Sequence, residues 1–262
     1  MGAGNMAEAL VGGMIQSGVC RPNQVVVSDV RADRIAYFAR QFGVDGVSGN
    51  VPAVKGADIV VLAVKPQVLD AVLAEMGGAI EKGALVVSIA AGVPTSRIEG
   101  VLGEGARVVR AMPNTPALVR AGAAALCAGR WATEEDLQTA ESLLGAVGVA
   151  VRVAEDAMDA VTAVSGSGPA YVFYIVEAML AAAAHLGLPD GVARQLVYAT
   201  IGGSARLLTE TGIEPAELRR RVTSKGGTTA AALAVLDERK VAAVFAEAIR
   251  AAHKRAGELS QS

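Results

Sequence analysis

The segment Val222–Thr229 combines two glycines with four hydroxyl side chains directly before an alanine-rich run. Glycine lets a ligand approach the backbone closely, and the N–H groups of a first helical turn point at an anion. The run Ala230–Leu236 predicts such a helix, so Gly226 and Gly227 at its positive end are typical of a carboxylate site. An ordinary helix start produces the same pattern, because Ser and Thr are preferred N-cap residues. The segment alone favours neither interpretation.

The first residues match a dinucleotide-binding fingerprint. The hexapeptide Gly2–Ala7 (GAGNMA) has the form G-x-G-x-x-A, in which the first glycine turns the chain, the second admits a pyrophosphate and the small last residue permits close packing. A helical run over Ala7–Ser17 and a strand over Val25–Val27 follow, and Asp29 stands where an acidic ribose ligand is expected. This order predicts the opening of a βαβ unit.

The strand that should precede this fingerprint is absent or very short. A buried strand of about five residues normally comes directly before the first glycine, whereas only Met1 precedes Gly2 here. We therefore expect a Rossmann-type sheet with a truncated first strand. The cofactor site would then be held on one side by Met1 alone, which could weaken cofactor binding.

Composition indicates a globular chain without a surface for polyanions. The 262 residues are 52% hydrophobic, which permits a sizeable core and one or two domains. The 24 basic and 26 acidic residues form no long run of one sign, so no nucleic acid and no membrane is predicted as a partner. Two cysteines, Cys20 and Cys127, have no ligand-bearing neighbours; we expect no metal site and a reducing cytoplasm.

The apolar run Ala170–Leu186 is about as long as a minimal membrane span. It carries Glu177 and His185, and charged or titratable side chains are costly inside a bilayer. The sequence therefore predicts a buried helix here. The alanine-rich helical segments also permit close packing between subunits.

The apolar pattern changes near residue 155. Before it, predicted strands are separated by segments long enough for crossovers, so residues 1–155 predict a dinucleotide-binding domain with a doubly wound parallel sheet. These strands are Val25–Val27, Ile59–Val64, Leu85–Ile89, Arg107–Ala111, Ala123–Ala128 and Val149–Val153. After it, residues 156–262 predict a helical domain. Its helices are Ala157–Val164, Ala170–Leu186, Gly191–Glu210, Pro215–Val222 and Ala230–Ala256.

Residues after three predicted strands should line one ligand site, because open α/β sheets bind ligands at the carboxyl ends of their strands. These residues are Ala63–Gln67, Ala90–Gly92 and Met112–Pro116. Simple turns would explain the prolines and glycines, but not Lys65 and Asn114 at the ligand edge. At the domain junction, the small residues of Ser165–Tyr171 would let a ligand lie close to the backbone.

Six segments together resemble pyrroline-5-carboxylate reductase, and they cover nearly the whole chain in the family's order. They are Gly2–Ala7, Ala63–Pro66, Ala90–Gly92, Met112–Pro116, Ser165–Tyr171 and Val222–Thr229. The resemblance implies NAD(P)H-dependent reduction of 1-pyrroline-5-carboxylate to L-proline, the last step of proline biosynthesis. It also implies a Rossmann domain, a helical dimerisation domain, and homodimers assembled into a decamer.

The resemblance implies roles for individual residues. Thr229 orients the imine nitrogen and Lys65 lines the nicotinamide pocket; we take these two as the catalytic pair. Substrate binding is expected from Ser224, Gly226, Gly227, Thr228, Thr229, Ser165 and Gly166. Cofactor binding is expected from Gly2, Ala3, Gly4, Asn5, Met6, Ala7, Ser28, Asp29, Arg31, Asn50, Ala63, Val64, Lys65, Pro66, Ala90, Ala91, Met112, Pro113 and Asn114.

The side chains agree with imine chemistry. A protonated cyclic imine accepts hydride without a strong general acid, so the protein must mainly orient the reactants. The chain's two histidines, His185 and His253, lie in predicted helices and are expected to serve packing or the surface. This scarcity argues against a hydroxy-acid dehydrogenase, which needs a base for the alcohol proton.

Cofactor choice and activity leave alternatives. Asp29 favours NAD, whereas Ser28, Arg31 and Arg34 could hold the 2′-phosphate of NADP; we predict NADPH, with NADH also used. Lys225 replaces a proline common in the family. Two other functions remain open. One is a related reductase of the same architecture acting on another imine or a β-hydroxyacid, and the other is a non-catalytic oligomer with a disabled nucleotide site.

Overall fold

The computed structural model describes residues 1–260, which divide into two compact units. The first comprises Met1–Ser167 together with the end of the chain from Ala252, and the second comprises Gly168–Ala251. The first is an α/β sheet structure of the Rossmann type and the second consists of helices. The predicted fold class is confirmed.

Strands and helices alternate along the first unit, as the apolar pattern predicts. Its elements are α1 Asn5–Gln16, β1 Val26–Ser28, α2 Ala32–Phe42, β2 Asp45–Val47, α3 Asn50–Val54, β3 Ile59–Leu62, α4 Pro66–Met76, β4 Leu85–Ser88, α5 Thr95–Leu102, β5 Arg107–Pro113, β6 Gly122–Ala128, α6 Glu134–Gly145, β7 Gly148–Arg152 and α7 Met158–Val161. A π-helical turn, Thr162–Gly166, follows α7. Two elements were not predicted: β2, which is only Asp-Gly-Val, and α3, a single short turn that contains Pro52.

The sheet is in two parts. Strands β1 and β2 pair in parallel, and the other five form a separate sheet in the order β3-β4-β5-β6-β7. The β5–β6 pair is antiparallel, so the prediction of an entirely parallel sheet is wrong at this point. The reason is the short link between Pro113 and Gly122, which cannot make the crossover that a parallel connection requires.

Met1 and Gly2 lie between the two parts of the sheet. The Met1 amine donates to Val61 O at 2.9 Å, Ala63 N donates to Met1 O at 2.9 Å, and Gly2 N donates to Ser28 O at 2.8 Å. Met1 and Gly2 therefore link β1 and β3 through backbone hydrogen bonds of the kind that neighbouring strands make.

The central strands β4 and β5 are buried on both faces of the five-stranded sheet, which explains why they are largely apolar runs. Side chains alternate between the faces: Val87 belongs to a cluster with Leu10 of α1, and its neighbour Val86 to a cluster with Leu73 of α4. The two clusters hold the carboxyl ends of β3, β4 and β5 at one edge. This edge is where the predicted ligand residues should meet.

The second unit is built from long helices. They are α8 Gly168–His185, α9 Asp190–Thr211, α10 Pro215–Arg221, α11 Thr228–Glu238 and α12 Val241–Ser260, the last of which ends in the first unit. The single helix predicted over Ala230–Ala256 is therefore wrong. The chain breaks between α11 and α12, where Lys240 adopts a left-handed conformation with φ 52°.

Helix α8 is largely exposed within one chain. Ala183 is its only buried residue, while Phe173 and Tyr174 are 59% and 72% exposed, so the prediction of a buried helix is wrong for the isolated chain. The helical stretch Glu155–His185 is long and apolar enough to cross a membrane by length and composition alone. Exposed apolar side chains of this size are also what an interface between subunits requires.

Candidate functional site

The fingerprint glycines shape an open helix start. Gly2 has φ 85°, and a Cβ built on it would lie 2.7 Å from Ala63 O, so only glycine fits this position without strain. Gly4 is the exposed N-cap of α1, and no side chain caps this helix. The first-turn N–H groups of residues 5–7 are therefore available to an anion such as a pyrophosphate.

Asp29 holds the fingerprint turn. Its Oδ2 accepts a hydrogen bond from Ala3 N at 2.7 Å, and its Oδ1 accepts one from Arg31 N at 2.9 Å. Both carboxylate oxygens thus already have backbone donors at the end of β1. The Arg31 side chain is exposed and donates to Asp33, which holds the pKa of the Asp33 carboxyl below its usual value.

A cluster of three side chains beside the fingerprint was not predicted from the sequence: Glu8, Arg34 and Tyr37. Arg34 Nε donates to Ala3 O at 2.7 Å, its Nη2 donates to Glu8 Oε2 at 2.7 Å, and Tyr37 OH donates to Glu8 Oε1 at 2.7 Å. Burial raises the pKa of Glu8, but the bonds from Arg34 and Tyr37 outweigh it and leave the pKa below its ordinary value. Arg34 therefore supports the fingerprint backbone. The i, i+3 spacing of Arg34 and Tyr37 on α2 was the available signal.

Ser28 and Asn50 meet at the end of β1. Ser28 is buried, and its Oγ donates to Asn50 Oδ1 at 3.3 Å. Glu75 of α4 accepts hydrogen bonds from the backbone N of Asn50 at 3.2 Å and from its Nδ2 at 2.7 Å. Two predicted cofactor residues are thus in contact, and Glu75, which the sequence did not single out, fixes the orientation of Asn50.

The residues after β3 and β4 lie at the same edge of the sheet. Lys65 is the N-cap of α4 with Pro66 in its first turn, and its exposed side chain has no carboxylate partner among residues 1–260. Ala90 is buried and its N–H donates to Ser88 Oγ at 3.3 Å, whereas Ala91 is exposed. A free ammonium therefore stands where parallel strands of an open sheet present ligands.

Asn114 connects this edge to the π-helical turn. Its Oδ1 accepts from Ala123 N at 2.9 Å, and its Nδ2 donates to Ser165 O at 3.1 Å. Its amide is thus engaged by the protein on both sides. π-Helical turns interrupt regular helices and often occur at functional sites, and here the turn positions Ser165.

Met112 and Pro113 differ from the sequence expectation. They were predicted to follow the strand, but β5 continues to Pro113, which pairs with Ala124 of β6. The antiparallel partner β6 extends the ladder beyond the point where the apolar run ends. The Met112 side chain packs at Gly166, where a Cβ would lie 2.5 Å from Met112 Cε.

The second unit carries the Gly/Ser/Thr segment. Gly226 has φ 73°, and Gly227 is the N-cap of α11, with its N–H donating to Ser224 O at 3.1 Å. The first intrahelical bond runs from Ala231 N to Gly227 O at 3.2 Å, so the N–H groups of residues 228–230 lack helical acceptors. No side chain caps this helix, and Thr229 is half-buried. The segment presents donors suited to a carboxylate.

The described residues contain no cluster of three or more His, Cys, Asp or Glu side chains that could hold a metal ion. Both cysteines are free thiols, and burial raises the pKa of the Cys127 thiol to about 11. A protonated, buried thiol is a poor nucleophile. The chemistry offered by these residues is therefore binding and orientation through backbone donors, hydroxyl groups and one lysine.

Two family models match the chain. Residues 155–259 match the model described as pyrroline-5-carboxylate reductase dimerisation, and residues 1–92 match the one described as NADP oxidoreductase coenzyme F420-dependent. The curated pyrroline-5-carboxylate reductase of Pseudomonas aeruginosa is 45% identical over 262 residues, which cover 100% of this chain and 96% of the relative. That of Escherichia coli is 38% identical and covers 100% of this chain and 97% of the relative.

Solved structures of such enzymes are similar over the whole chain. The structure of a pyrroline-5-carboxylate reductase from Coxiella burnetii has 42% sequence identity and a TM-score of 0.94, covering 100% of this chain and 97% of that one. The crystal structure of Plasmodium falciparum pyrroline carboxylate reductase with NADP bound has 26% identity and a TM-score of 0.89, covering 99% and 96%.

Proposed function

This chain belongs to the pyrroline-5-carboxylate reductase family, and we propose on that premise that it reduces 1-pyrroline-5-carboxylate to L-proline, the last step of proline biosynthesis. It is an NAD(P)H-dependent oxidoreductase, with NADPH as its cofactor and NADH also accepted. The observation that carries this proposal is the 45% identity to a curated reductase over the entire chain. A match of that extent includes both the dinucleotide fingerprint and the segment Ser224–Thr229.

The geometry of the first unit fits a dinucleotide. The positive φ of Gly2 and its contact with Ala63 keep the turn tight, and the uncapped start of α1 offers N–H donors for a pyrophosphate. Bound reduced nicotinamide supplies the hydride. The proposed contacts are the cofactor residues named from the sequence, with Lys65 adding positive potential on the nicotinamide side.

Ser28 and Arg31 are the proposed contacts of the 2′-phosphate of NADPH. Both oxygens of Asp29 accept backbone hydrogen bonds, which reduces their repulsion of a phosphate. Arg31 is exposed, so its guanidinium can exchange Asp33 for a ligand at little cost. A carboxylate that remains free to accept ribose hydroxyls would instead favour NADH.

The substrate carboxylate is proposed to bind at the start of α11. The open N–H groups of that turn and the hydroxyl groups of Ser224 and Thr228 supply donors without a fixed positive charge. Thr229 is the proposed partner of the ring nitrogen, where its hydroxyl orients the imine and helps to deliver a proton. Ser165 and Gly166 complete the proposed substrate contacts.

We also propose that the two parts of the chain have different functions. Residues 1–155 bind the dinucleotide, and residues 156–262 bind substrate and form the dimer. The protein is a homo-oligomer, because residues 155–259 match a dimerisation domain; assembly of five dimers into a decamer is our proposal. The exposed apolar side chains of α8, Phe173 and Tyr174 among them, support burial against another subunit. Cytoplasmic location is proposed from the free thiols.

An assay of reduced nicotinamide consumption tests the function. The purified chain is given 1-pyrroline-5-carboxylate with NADPH or NADH in parallel, and proline is identified as the product. We expect substrate-dependent oxidation with both cofactors and faster turnover with NADPH. A related reductase would instead oxidise the cofactor with another imine or a β-hydroxyacid and leave this substrate unchanged. A non-catalytic oligomer would not bind NADPH in a direct titration.

A further inference from the structure

A buried arginine lies near the ligand edge of the sheet. Arg110 belongs to β5, and its side chain is only 5% exposed. Its partner in the parallel pair with β4 is Ser88, whose Oγ accepts a hydrogen bond from Ala90 N at 3.3 Å. An arginine is almost never fully buried unless its charge is paired. The binding contacts proposed above give this buried charge no role.

Two carboxylates face the Arg110 guanidinium. Glu155 Oε1 lies 3.5 Å from its Nη1, and Asp159 Oδ1 lies 3.9 Å from its Nη2. Both acidic residues follow β7, Glu155 in a short helical turn and Asp159 in α7. The planar fork of an arginine can face two carboxylates at once, whereas a lysine presents a single ammonium. One side chain of β5 thus sets the places of two acidic groups.

Glu155 holds the start of α5. Its Oε1 accepts a hydrogen bond from Thr95 N at 2.7 Å, and its Oε2 accepts one from Thr95 Oγ1 at 2.8 Å. Thr95 is buried and is the first residue of α5. The segment Ala90–Pro94, which we call the β4–α5 link, leads directly into it and carries the proposed cofactor contacts Ala90 and Ala91. Glu155 therefore fixes the far end of this link.

Asp159 holds the end of α12 beside the same link. Its Oδ2 accepts a hydrogen bond from Ser260 Oγ at 3.2 Å. The preceding residue, Leu259, lies against Gly92 in the middle of the link, because a Cβ built on Gly92 would be 3.2 Å from Leu259 Cβ. Gly92 also has φ 71°, a conformation that favours glycine. The β4–α5 link is thus held from a second direction.

The helix that carries Asp159 also leads into the π-helical turn Thr162–Gly166. Thr162 Oγ1 donates to Met158 O at 2.8 Å, which ties the turn to α7. The turn carries Ser165, one of the proposed substrate contacts. Arg110 therefore connects a segment proposed to bind the cofactor with a segment proposed to bind the substrate.

We propose that Arg110 is a positioning residue for hydride transfer. Acting through Glu155 and Asp159, it holds the β4–α5 link and the π-helical turn at a fixed separation. The inference rests on the proposed function, in which these two segments contact the cofactor and the substrate. Reacting atoms must approach to about 3–3.5 Å, and a displacement of about 1 Å can slow a reaction roughly a hundredfold. Arg110 itself touches neither reactant.

The test compares Arg110→Lys with Arg152→Lys in the full chain. Arg152 is the matched control, because it also pairs with two carboxylates, Glu134 at 2.6 Å and Glu141 at 2.8 Å, both on α6. Arg110→Lys should lower kcat about tenfold, because one ammonium cannot place both acidic groups. Its NADPH affinity should stay nearly unchanged, because the fingerprint turn is intact. Arg152→Lys should keep the rate of the unsubstituted chain.

Turnover is expressed per NADPH-binding site, counted by titration, so that a loss of folded protein does not lower kcat. An equal kcat in Arg110→Lys and the unsubstituted chain would overturn the proposal, and so would an equal loss in both arginine variants. If the unsubstituted chain itself reduces no 1-pyrroline-5-carboxylate, the proposed function fails instead.

Amide hydrogen exchange in the chain without ligands gives a readout that does not depend on activity. In Arg110→Lys, exchange at Thr95 and in the β4–α5 link should be faster by about tenfold or more, because the Glu155 acceptor is no longer held in place. Arg152→Lys should leave this exchange unchanged. Equal exchange in the link of both variants would show that Arg110 does not hold it and would overturn the proposal.

A second pair of variants tests the Glu155 contact without changing a buried charge. Thr95→Ala removes the hydroxyl that donates to Glu155 and should lower kcat per binding site severalfold, whereas Thr95→Ser keeps the hydroxyl and should recover most of the rate. This pair decides the question if Arg110→Lys does not fold. The same rate in Thr95→Ala and Thr95→Ser would contradict the proposal.

Discussion

The buried amine of Met1 should make the stability of this polypeptide depend on pH between 6 and 8. Burial lowers the pKa of the amine from 8.0 to about 6 in the folded chain. In that interval the unfolded chain binds a proton that the folded chain does not, so the free energy of unfolding falls as the pH is lowered from 8 to 6. The loss is complete about one pH unit below 6, where both states are protonated.

Its magnitude follows from the size of the pKa shift. A shift of one unit corresponds to about 1.4 kcal/mol, so the amine should cost about 3 kcal/mol of stability in full, of which about 2 kcal/mol is lost between pH 8 and pH 6. For a chain of this size, this corresponds to roughly 5–10 °C in Tm. Urea unfolding at a series of pH values measures the free energy directly, provided the transition is two-state.

Enzymatic acetylation of the Met1 amine provides the control. It removes the titrating group and keeps an N–H donor, while the rest of the chain is the same in both forms. The acetylated chain should therefore lack the part of the pH dependence that the amine causes. The same pH dependence in the two forms would refute the reasoning, because it would show that the amine is not buried in the folded chain.

Substitutions at three residues test the proposed site. Thr229→Ala should lower kcat at least tenfold and leave NADPH affinity nearly unchanged, whereas Thr229→Ser should retain most of the activity. Equal rates in the unsubstituted chain and both variants would show that the Thr229 hydroxyl has no role in the mechanism. Asn114→Ala removes the hydrogen bonds to Ala123 and Ser165 and should lower the free energy of unfolding by about 1–3 kcal/mol. An unaltered denaturation midpoint would show that these hydrogen bonds do not stabilise the fold. Arg34→Met frees Ala3 O and should weaken NADPH binding severalfold by calorimetry, and unchanged affinity would show that the fingerprint does not need this support.

Much of the sheet could be predicted, because buried parallel strands leave continuous apolar runs in the sequence. The runs over Ile59–Val64 and Leu85–Ile89 correspond to β3 and β4 within two residues at each end. The direction of β6 was missed, since a strand looks the same in sequence whether it runs parallel or antiparallel. Only the length of the link from β5 carried that information.

The contacts that support the candidate site were harder to predict from the sequence. Glu8 lies 26 positions before Arg34 and 29 before Tyr37, and polar residues at such separations do not by themselves indicate contact. The exposure of α8 was mispredicted for another reason. An apolar helix has the same pattern whether its own chain or another subunit covers it, so Phe173 was expected in a core.

The most direct test of the proposed reaction is to follow the hydride. NADPH that carries deuterium at the transferred position of the nicotinamide is incubated with the enzyme and 1-pyrroline-5-carboxylate, and the proline formed is analysed by mass spectrometry. Direct transfer to the imine carbon predicts proline with a single deuterium on that ring carbon. Unlabelled proline, or cofactor oxidation without proline, would contradict the account.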